Sequence, residues 1–373
     1  MQISALKENF NNENRVALTP DTIKLFQRLG LEVLIEDGAG NNSGYPNDLY
    51  EANGAKIVSR DQCLKANICL CVKIPNDNDL QQLNENTVLI GILNPYENKK
   101  YFNTLNEKKI ISCCMELIPR ISRAQSMDVL SSQANLAGYR SVIDAAEQFG
   151  KAFPMMMTAA GRVNPAKVMV LGVGVAGLQA IATAKRLGAV VSATDVRSAT
   201  KEQVESLGGK FIMVEDEEST NAETEGGYAK EMSEEYKQKQ AKLIAETIAK
   251  QDIVICTALI PGKKAPVLIS QEMVESMASG SVVVDLAVEA GGNCPLSKEG
   301  EVVDHGGVKI VGYANVPGRV AKDASALYAK NIFNFLSLII NKDDKKINFN
   351  WEDEIVNAVT LTHEGKLRLE QFN

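Results

Sequence analysis

Three spaced glycines within a strand, turn and helix pattern constrain the fold of this chain more than any other feature. The apolar segment Lys167–Leu171 predicts a buried strand, and the run Gly172–Gly177 (GVGVAG) follows it directly. A helical pattern over Leu178–Leu187 comes next, and a second apolar strand over Ala189–Thr194 ends at Asp195. This order of elements predicts a βαβ unit with parallel strands.

The glycine positions predict a dinucleotide site. Gly172 permits the tight turn, Gly174 leaves the backbone open to a pyrophosphate, and Gly177 lets the helix pack closely on the strand. The amino terminus of the helix offers unpaired N–H groups to the phosphates, and Val175 and Ala176 within the glycine run are also predicted to contact the cofactor. The alternative is a strand–turn–helix that binds nothing. We favour binding because four features occur at the expected spacing: a strand, three glycines, a helix and an acid.

The acid at the end of the second strand predicts which dinucleotide is bound. Asp195 lies about 20 residues beyond the glycines, where a carboxylate accepts hydrogen bonds from the adenosine ribose and repels a 2′-phosphate. This favours NAD(H) over NADP(H). A nearby arginine can accommodate that phosphate, and we interpret Arg197 as stacking near the adenine or pairing with surface acids. The other residues predicted to line the nucleotide site are Val196, Thr257, Ala258 and Leu259.

Strands and helices alternate along most of the remaining chain. Two long helical patterns, Ser131–Phe149 and Ala321–Ile340, flank the segment that holds the glycine motif, and a polar tail follows the second. We therefore predict an α/β fold of two Rossmann-like, doubly wound parallel-sheet domains joined by two long helices. The predicted domains are 1–130 with 318–373, and 131–317, the second of which binds NAD(H). The other predicted strands are Glu32–Glu36, Lys56–Val58, Ile68–Val72, Thr87–Leu93, Lys109–Cys114, Phe211–Val214, Ile253–Thr257, Ser281–Ala287 and Val308–Gly312.

Composition excludes several classes of function. A chain of 373 residues is too long for one compact core of ordinary size, so we expect two domains. A net charge of −7 argues against nucleic acid or an anionic membrane as the main partner. No uncharged apolar run approaches the roughly 20 residues that span a bilayer, and no signal peptide is visible. The seven cysteines lack metal-ligand spacing, so we expect buried free thiols in a reducing compartment and no metal site.

The polar segment before the first long helix is the best candidate for a reaction site. The range Arg120–Ser131 (RISRAQSMDVLS) carries few apolar anchors, and its arginine, amide, carboxylate and hydroxyl suit a nicotinamide and its ribose. Helix capping by Asp128 is the alternative. The predicted catalytic residues are Arg120, Gln125, Asp128 and Ser131.

Two further groups of residues bear on chemistry. Arg15 and Lys73 are candidates for binding a substrate carboxylate, although surface lysines and arginines are common. The chain has only two histidines, and we interpret His305 as structural because it lies in a turn before a strand. Many dehydrogenases use a histidine as the acid or base beside the nicotinamide, so this scarcity is informative.

Longer stretches make a family recognisable. The chain resembles the NAD(H)-binding alpha subunits of proton-translocating NAD(P) transhydrogenases over essentially its whole length. The glycine motif is shared with many dehydrogenases, whereas SRAQSMDVLSSQANLAGYRSV and GGYAKEMSEEYKQKQ are the specific stretches. The segments that carry the resemblance are Glu13–Pro20, Ser122–Val142, Val170–Ala189, Gly226–Gln240 and Gly312–Ser325.

The resemblance implies a division of labour between subunits. This chain would bind NADH, NADP(H)-binding and membrane-spanning partner subunits would present NADP+, and hydride would pass directly between the nicotinamides, coupled to proton translocation. The polar loop would surround the nicotinamide and its ribose, with Gln125 facing the partner's nucleotide, while Gly227 and Tyr228 would belong to a mobile loop that closes over NAD(H). The subunit would be a homodimer, peripheral on the cytoplasmic side of the bacterial inner membrane, without direct membrane insertion.

Two other functions compete with this one. Alanine dehydrogenases are related, with Arg15, Lys73 and Asn315–Pro317 in similar places, but they carry a catalytic histidine after the strand that corresponds to Val88–Leu93. Here that position reads Leu93–Tyr96 (LNPY), and deamination needs a proton acceptor. A non-catalytic NAD-sensing module is the third hypothesis, which the polar loop argues against because binding of the adenine alone would not need it.

Overall fold

A computed structural model describes residues 1–214, 233–260, 262–341 and 343–372 of the chain. It divides into two compact units, a first unit of Met1–Gln133 with Pro317–Asn373 and a second unit of Ala134–Val316. The chain leaves the first unit inside one long helix and re-enters it just before another. The second unit is therefore inserted in the sequence of the first.

The first unit is built on a sheet of eight described strands. They are β1 (Gln2–Ala5), β2 (Glu32–Glu36), β3 (Lys56–Val58), β4 (Ile68–Lys73), β5 (Val88–Ile92), β6 (Ile111–Cys114), β16 (Thr360–His363) and β17 (Lys366–Leu367). Their order is β17-β16-β6-β5-β4-β1-β2-β3, in which β1 to β6 pair in parallel and β16 and β17 pair antiparallel. The helices are α1 (Ile23–Arg28), α2 (Asn47–Ala52), α3 (Arg60–Leu64), α4 (Asp77–Gln82), α5 (Phe102–Glu107), α6 (Val129–Gln148), α11 (Ala321–Ile339) and α12 (Glu354–Val359), with α6 continuing into the second unit.

The second unit has a sheet of seven described strands and a separate two-stranded hairpin. The strands are β7 (Met156–Thr158) and β8 (Gly161–Val163) of the hairpin, then β9 (Lys167–Leu171), β10 (Val190–Thr194), β11 (Lys210–Phe211), β12 (Ile253–Cys256), β13 (Val282–Asp285), β14 (Val302–His305) and β15 (Val308–Val311). The sheet order is β11-β10-β9-β12-β13-β15-β14, parallel except for β14 at one edge. The helices are α7 (Val175–Arg186), α8 (Thr200–Ser206), α9 (Glu234–Ile248) and α10 (Gln271–Glu275).

The parallel strands of the two sheets follow the same order, and this order locates the candidate sites. In each, the first parallel strand lies between the second and the fourth, so β1 neighbours β4 and β9 neighbours β12. The chain runs outward in opposite directions from these pairs, which opens a crevice at the carboxyl ends of the strands. The predicted α/β fold with doubly wound parallel sheets is confirmed.

The central strands are buried on both faces, which explains their unbroken apolar sequences. In β4, Ile68, Leu70 and Val72 join one hydrophobic cluster, whereas Cys69 and Cys71 join another on the opposite face. Strand β9 divides its side chains between two clusters in the same way. All seven cysteines are buried and free, as predicted. None of the described helices combines the length and hydropathy needed to cross a bilayer.

Several elements differ from the sequence-based expectations. The β7–β8 hairpin and strand β14 were not predicted, and β11 is Lys210–Phe211 rather than Phe211–Val214. Helix α7 begins at Val175 rather than Leu178, because the backbone turns into the helix immediately after Gly174. The tail expected to be merely polar forms α12, β16 and β17, and β16 extends the first sheet beyond β6. Thr362 in β16 is buried, and its hydroxyl bonds to the Ser112 hydroxyl at 2.6 Å. Polar side chains therefore stabilise this edge of the sheet, and the sequence here lacks the alternation of apolar residues that predicts a strand.

Gly138 in α6 is a predicted weak point of the second unit. A Cβ there would lie 2.0 Å from the Ala176 carbonyl oxygen at the start of α7. We expect Gly138→Ala to cost about 3 kcal/mol by overpacking against backbone, against about 1 kcal/mol gained in helix propensity, a net loss of about 2 kcal/mol. Urea denaturation would measure it.

Gly150→Ala, just beyond the end of α6, is the control, since a Cβ at Gly150 meets nothing within 4 Å. Equal unfolding free energies for the two variants would contradict the packing argument.

Candidate functional site

The glycine turn of the second unit has the geometry that its sequence predicted. Gly172 has a φ of +96°, and its carbonyl oxygen accepts the Thr257 hydroxyl at 2.8 Å. A Cβ on Gly177 would lie 2.0 Å from that same carbonyl oxygen, whereas a Cβ on Gly174 would meet nothing within 4 Å. Gly172 and Gly177 are therefore required by the turn and the packing, and Gly174 leaves open space beside the backbone.

The start of helix α7 is open to a ligand. Its N-cap is Gly174, in extended conformation, and within the described residues no side chain caps this end of the helix. Val175 is exposed and Ala176 is half-buried on the same turn. A helix start with uncapped N–H groups and a positive dipole end suits the diphosphate of a dinucleotide.

Asp195 and Arg197 are bonded to each other. The Asp195 Oδ1 atom accepts the Arg197 backbone N–H and Nε–H, each at 2.9 Å. The Oδ2 atom accepts the Val173 N–H at 2.7 Å and an Arg197 terminal nitrogen at 2.9 Å. Arg197 thus pairs with an acid, as one of the two sequence interpretations proposed, but this acid is the predicted ribose ligand itself.

The end of β12 carries the remaining predicted contacts. Thr257 bonds to the glycine turn, and Leu259 is 54% exposed. Sequence reasoning missed the residue that holds this segment: the buried Asn293 side chain donates to the Ala258 and Pro266 carbonyl oxygens at 2.9 and 2.7 Å. Asn293 lies in a loop after β13 without periodicity, and only the Gly291–Gly292 pair before it, with φ of +93° and +80°, indicated a constrained turn.

The structure brings most of the predicted nucleotide residues to one edge of the second sheet. This edge is formed by the carboxyl ends of β9, β10 and β12. Val196 lies there too, half-buried between Asp195 and Arg197. Gly227 and Tyr228 lie outside the described residues.

The predicted catalytic loop belongs to the first unit and combines a cap with exposed groups. A 3-10 helix spans Ser122–Met127, and Asp128 then caps α6 by accepting the Ser131 N–H at 2.9 Å and the Ser131 hydroxyl at 2.5 Å. The capping alternative for Asp128 is therefore observed. Arg120 and Gln125 are exposed, so the loop presents an amide and a guanidinium beside a hydrogen-bonded carboxylate.

Side chains of α11 and of Asp353, the N-cap of α12, hold the loop in place. Asn331 and Asn334 donate to the Ser126 carbonyl oxygen at 2.8 and 2.9 Å. Arg123 forms a bidentate ion pair with Asp353 at 2.7 and 3.0 Å. These asparagines could not be singled out beforehand, because they stand in an otherwise ordinary helical pattern.

Arg15 and Lys73 differ in the contacts that their charged groups make within the protein. Arg15 is only 6% exposed and forms a bidentate pair with Glu13 at 2.8 and 2.7 Å, with Gln133 accepting from its third nitrogen at 2.9 Å. The Lys73 ammonium lies 5.7 Å from the ring centre of Phe10. A buried guanidinium that already uses three of its five N–H donors within the protein has less capacity left for a substrate carboxylate.

Two carboxyl groups lie near the carboxyl ends of the first sheet. Burial raises the pKa of Glu8 to about 8, although its carboxylate accepts the N–H groups of Val72 at 2.6 Å and Lys73 at 3.2 Å. Burial likewise raises the pKa of Glu116 to about 7, although hydrogen bonds from the peptide N–H groups of Asn94 and Leu93 act to lower it.

Neither histidine lies at this edge. His305 is the last residue of β14 rather than part of the predicted turn, and it contacts Glu275 at 3.1 Å. His363 is in β16, with its ring 4.7 Å from that of Trp351. In the segment after β5, where alanine dehydrogenases are expected to carry a catalytic histidine, this chain has Asn94, whose φ is +45°. Within the described ranges, no cluster of three or more His, Cys, Asp or Glu side chains has a geometry fit for a metal ion.

Glu8→Gln is expected to flatten the pH dependence of stability. An unfolded glutamate has a pKa of about 4.3, whereas that of folded Glu8 is about 8. The folded state binds more protons between these values, so the unfolding free energy falls as pH rises from about 5 to about 8. Urea titrations across this window would measure the slope. The exposed Glu51 supplies the control Glu51→Gln, and a slope unchanged by Glu8→Gln would refute the assignment.

Comparison with known proteins agrees with this geometry. The family model described as Alanine dehydrogenase/PNT, N-terminal domain, matches residues 4–137, and the C-terminal domain model matches residues 141–370. A protein of Rhodospirillum rubrum, named as the first part of NAD(P) transhydrogenase subunit alpha, is 55% identical to the chain, covering 98% of this chain and 97% of that protein.

A solved structure gives the same result at the level of the fold. The transhydrogenase from Sinorhizobium meliloti superimposes with a TM-score of 0.91 at 50% identity, covering 98% of this chain and all of that one. Alanine dehydrogenase 1 of Staphylococcus aureus is more distant, at 30% identity over 92% of this chain and 88% of its own length. The chain therefore belongs to the alanine dehydrogenase/PNT family, among its NAD(P) transhydrogenase alpha subunits.

Proposed function

We propose that this chain binds NAD(H) in its second unit and transfers hydride between NADH and NADP+ held by a partner subunit. The observation that carries the proposal is the glycine turn next to the uncapped α7, with open space at Gly174 and a carboxylate, Asp195, at the end of the next strand. These groups fit the diphosphate and the adenosine ribose of an unphosphorylated dinucleotide. The name of the Rhodospirillum rubrum relative supports the same reaction.

The remaining residues are assigned to orientation rather than to acid–base chemistry. When bound, the dihydronicotinamide supplies the hydride, and transfer to a second nicotinamide requires no proton acceptor. We assign Arg120, Gln125, Asp128 and Ser131 to the nicotinamide amide and ribose, with Asp128 fixed by its bonds to Ser131. Rigid placement of two reactants contributes much of the rate in such a reaction.

The absence of a histidine at the first sheet's carboxyl edge separates this function from alanine oxidation. Deamination needs a group that accepts a proton near the substrate carbon. Arg15, which would hold the substrate carboxylate, already donates three of its five N–H groups to Glu13 and Gln133. Both features favour a subunit whose second substrate is another dinucleotide.

The partner subunits belong to the proposal. The relative's name describes one portion of an alpha subunit, which supports a multi-subunit enzyme. We propose NADP(H)-binding and membrane-spanning partners, coupling to proton translocation, and a peripheral position on the cytoplasmic side of the bacterial inner membrane without insertion of this chain. The domain assignment of 1–130 with 318–373 and 131–317, and the closing of a loop with Gly227 and Tyr228 over NAD(H), also belong to this proposal.

The β7–β8 hairpin supports the proposed homodimer. Every residue of both strands is exposed, including Met156 and Met157 at 42% and 70%, and Met155 just before them is 55% exposed. A two-stranded ribbon is marginal in water by itself, and clustered exposed apolar side chains mark an interaction surface.

The purified chain is expected to transfer hydride from NADH to thio-NADP+ only when the NADP-binding domain of a transhydrogenase is added. Absorbance of the reduced thionicotinamide would report transfer, and a parallel reaction would contain NAD+ and L-alanine. Turnover of alanine by the chain alone would overturn the proposal and would indicate a base other than histidine.

Gly174→Val is expected to weaken NADH binding at least about tenfold, because the new side chain enters the space assigned to the diphosphate. The protein should remain folded, since a Cβ at this position meets nothing within 4 Å. NADH fluorescence titration and thermal melting would test both points, with Gly150→Val in the same unit as control. Undiminished binding in Gly174→Val would place the dinucleotide elsewhere.

A double substitution, Met156→Asp with Met157→Asp, is expected to convert the dimer to a monomer, because two carboxylates would have to be buried without partners. Light scattering after size exclusion would report the mass. Val267→Asp, at another exposed apolar residue of the same unit, is the control. A dimer that survives the double substitution would exclude the hairpin as the contact.

A further inference from the structure

The ion pair at the end of β10 joins two residues with opposite preferences for a dinucleotide. Asp195 suits a ribose 2′-hydroxyl, and an arginine in this loop suits a 2′-phosphate. Here the Arg197 Nε and a terminal nitrogen bind the two oxygens of Asp195 in a fork at 2.9 Å each. This bidentate, charge-assisted geometry is the one that an arginine also forms with a phosphate.

The pair is partly withdrawn from water and well fixed. The side chains of Arg197 and Asp195 are only 20% and 7% exposed. The Arg197 carbonyl oxygen accepts the N–H of Thr200 at 3.2 Å and its hydroxyl at 2.8 Å at the start of α8. Its guanidinium also donates to the Val173 carbonyl oxygen at 3.3 Å. Of these bonds, those from Thr200 hold the backbone of Arg197, and the one to Val173 holds its guanidinium without the carboxylate.

Both residues lie within reach of the same ligand atom. A ribose hydroxyl bonded to Asp195 lies about 3 Å from a carboxylate oxygen, and the guanidinium lies at a similar distance from that oxygen. The 2′-substituent of a bound adenosine would thus lie no more than about 6 Å from the guanidinium. A phosphate at that position would be near both the carboxylate and the arginine.

We propose that Arg197 is a built-in receptor for a 2′-phosphate and that Asp195, by pairing with it, restricts the site to NAD(H). The inference rests on the proposed function, since it concerns the same dinucleotide site. With Asp195 present, a phosphate must displace a carboxylate from the arginine and then tolerate its charge. Without Asp195, the arginine keeps its backbone support and gains the phosphate as a bidentate partner.

The proposal predicts a gain of binding from a single substitution. Asp195→Ser is expected to bind NADPH about tenfold to a hundredfold more tightly than the unaltered chain, the range of one charge-assisted hydrogen bond or slightly more. NADH binding should weaken in the same variant because its ribose loses a carboxylate acceptor. Asp195→Asn, which keeps the shape of the side chain, provides a second test if the serine variant folds poorly.

Arg197→Ala serves as the control in both backgrounds. In Asp195→Ser it should abolish the gain for NADPH, and in the unaltered chain it should leave NADH preferred over NADPH, since the carboxylate still repels a phosphate. Fluorescence titrations with NADH and NADPH, and competition by 2′-AMP against 5′-AMP, would measure all four proteins. Circular dichroism would verify that each is folded.

The outcomes distinguish this inference from the proposed function. If the unaltered chain binds NADH but neither Asp195 variant gains affinity for NADPH and 2′-AMP, Arg197 is not a phosphate receptor and the proposed function stands. If the gain persists after Arg197→Ala, another cation is the receptor and the inference is wrong. If the unaltered chain fails to bind NADH, the proposed function fails first and the inference fails with it.

Discussion

The close approach of α7 to the end of β9 is the contact on which the second unit depends. The carbonyl oxygen of Gly172 lies where a Cβ of residue 177 would otherwise be, and the same oxygen receives the Thr257 hydroxyl from the neighbouring strand. One peptide group thus fixes the helix, the turn and the end of β12 together. The open edge beside Gly174 exists because these three elements are locked without any bulky side chain between them.

Much of the fold was predictable because its signals are local. Buried parallel strands need unbroken apolar runs, and both sheets supply them, so the order of elements follows from the sequence alone. The edge strands β16 and β17 were not predictable, because Thr362 is buried through hydrogen bonds to Ser112 and Ile110, which lie far away in the chain. A polar residue at a buried edge carries no periodic signal.

The candidate site was predictable in its composition but less so in its contacts. Asp195 was identified by its spacing from the glycines, yet its bidentate partner was not, because two interpretations of Arg197 were equally compatible with the sequence. Asp128 was expected either to cap a helix or to serve the site, and it caps α6 while bonding to Ser131. The asparagines that support these loops, Asn293, Asn331 and Asn334, were missed because each acts through backbone carbonyls, which leave no mark on the sequence.

The hydrogen bonds from α11 to the polar loop have a consequence for folding during synthesis. Asn331 and Asn334 reach the Ser126 carbonyl across 205 and 208 residues of sequence, and Thr362 reaches Ser112 across 250. The whole second unit emerges from the ribosome between these partners. All strands of its sheet lie between residues 167 and 311, so that sheet can be completed before α11, β16 and β17 of the first unit are synthesised. The sheet that begins first in the chain is therefore the one completed last.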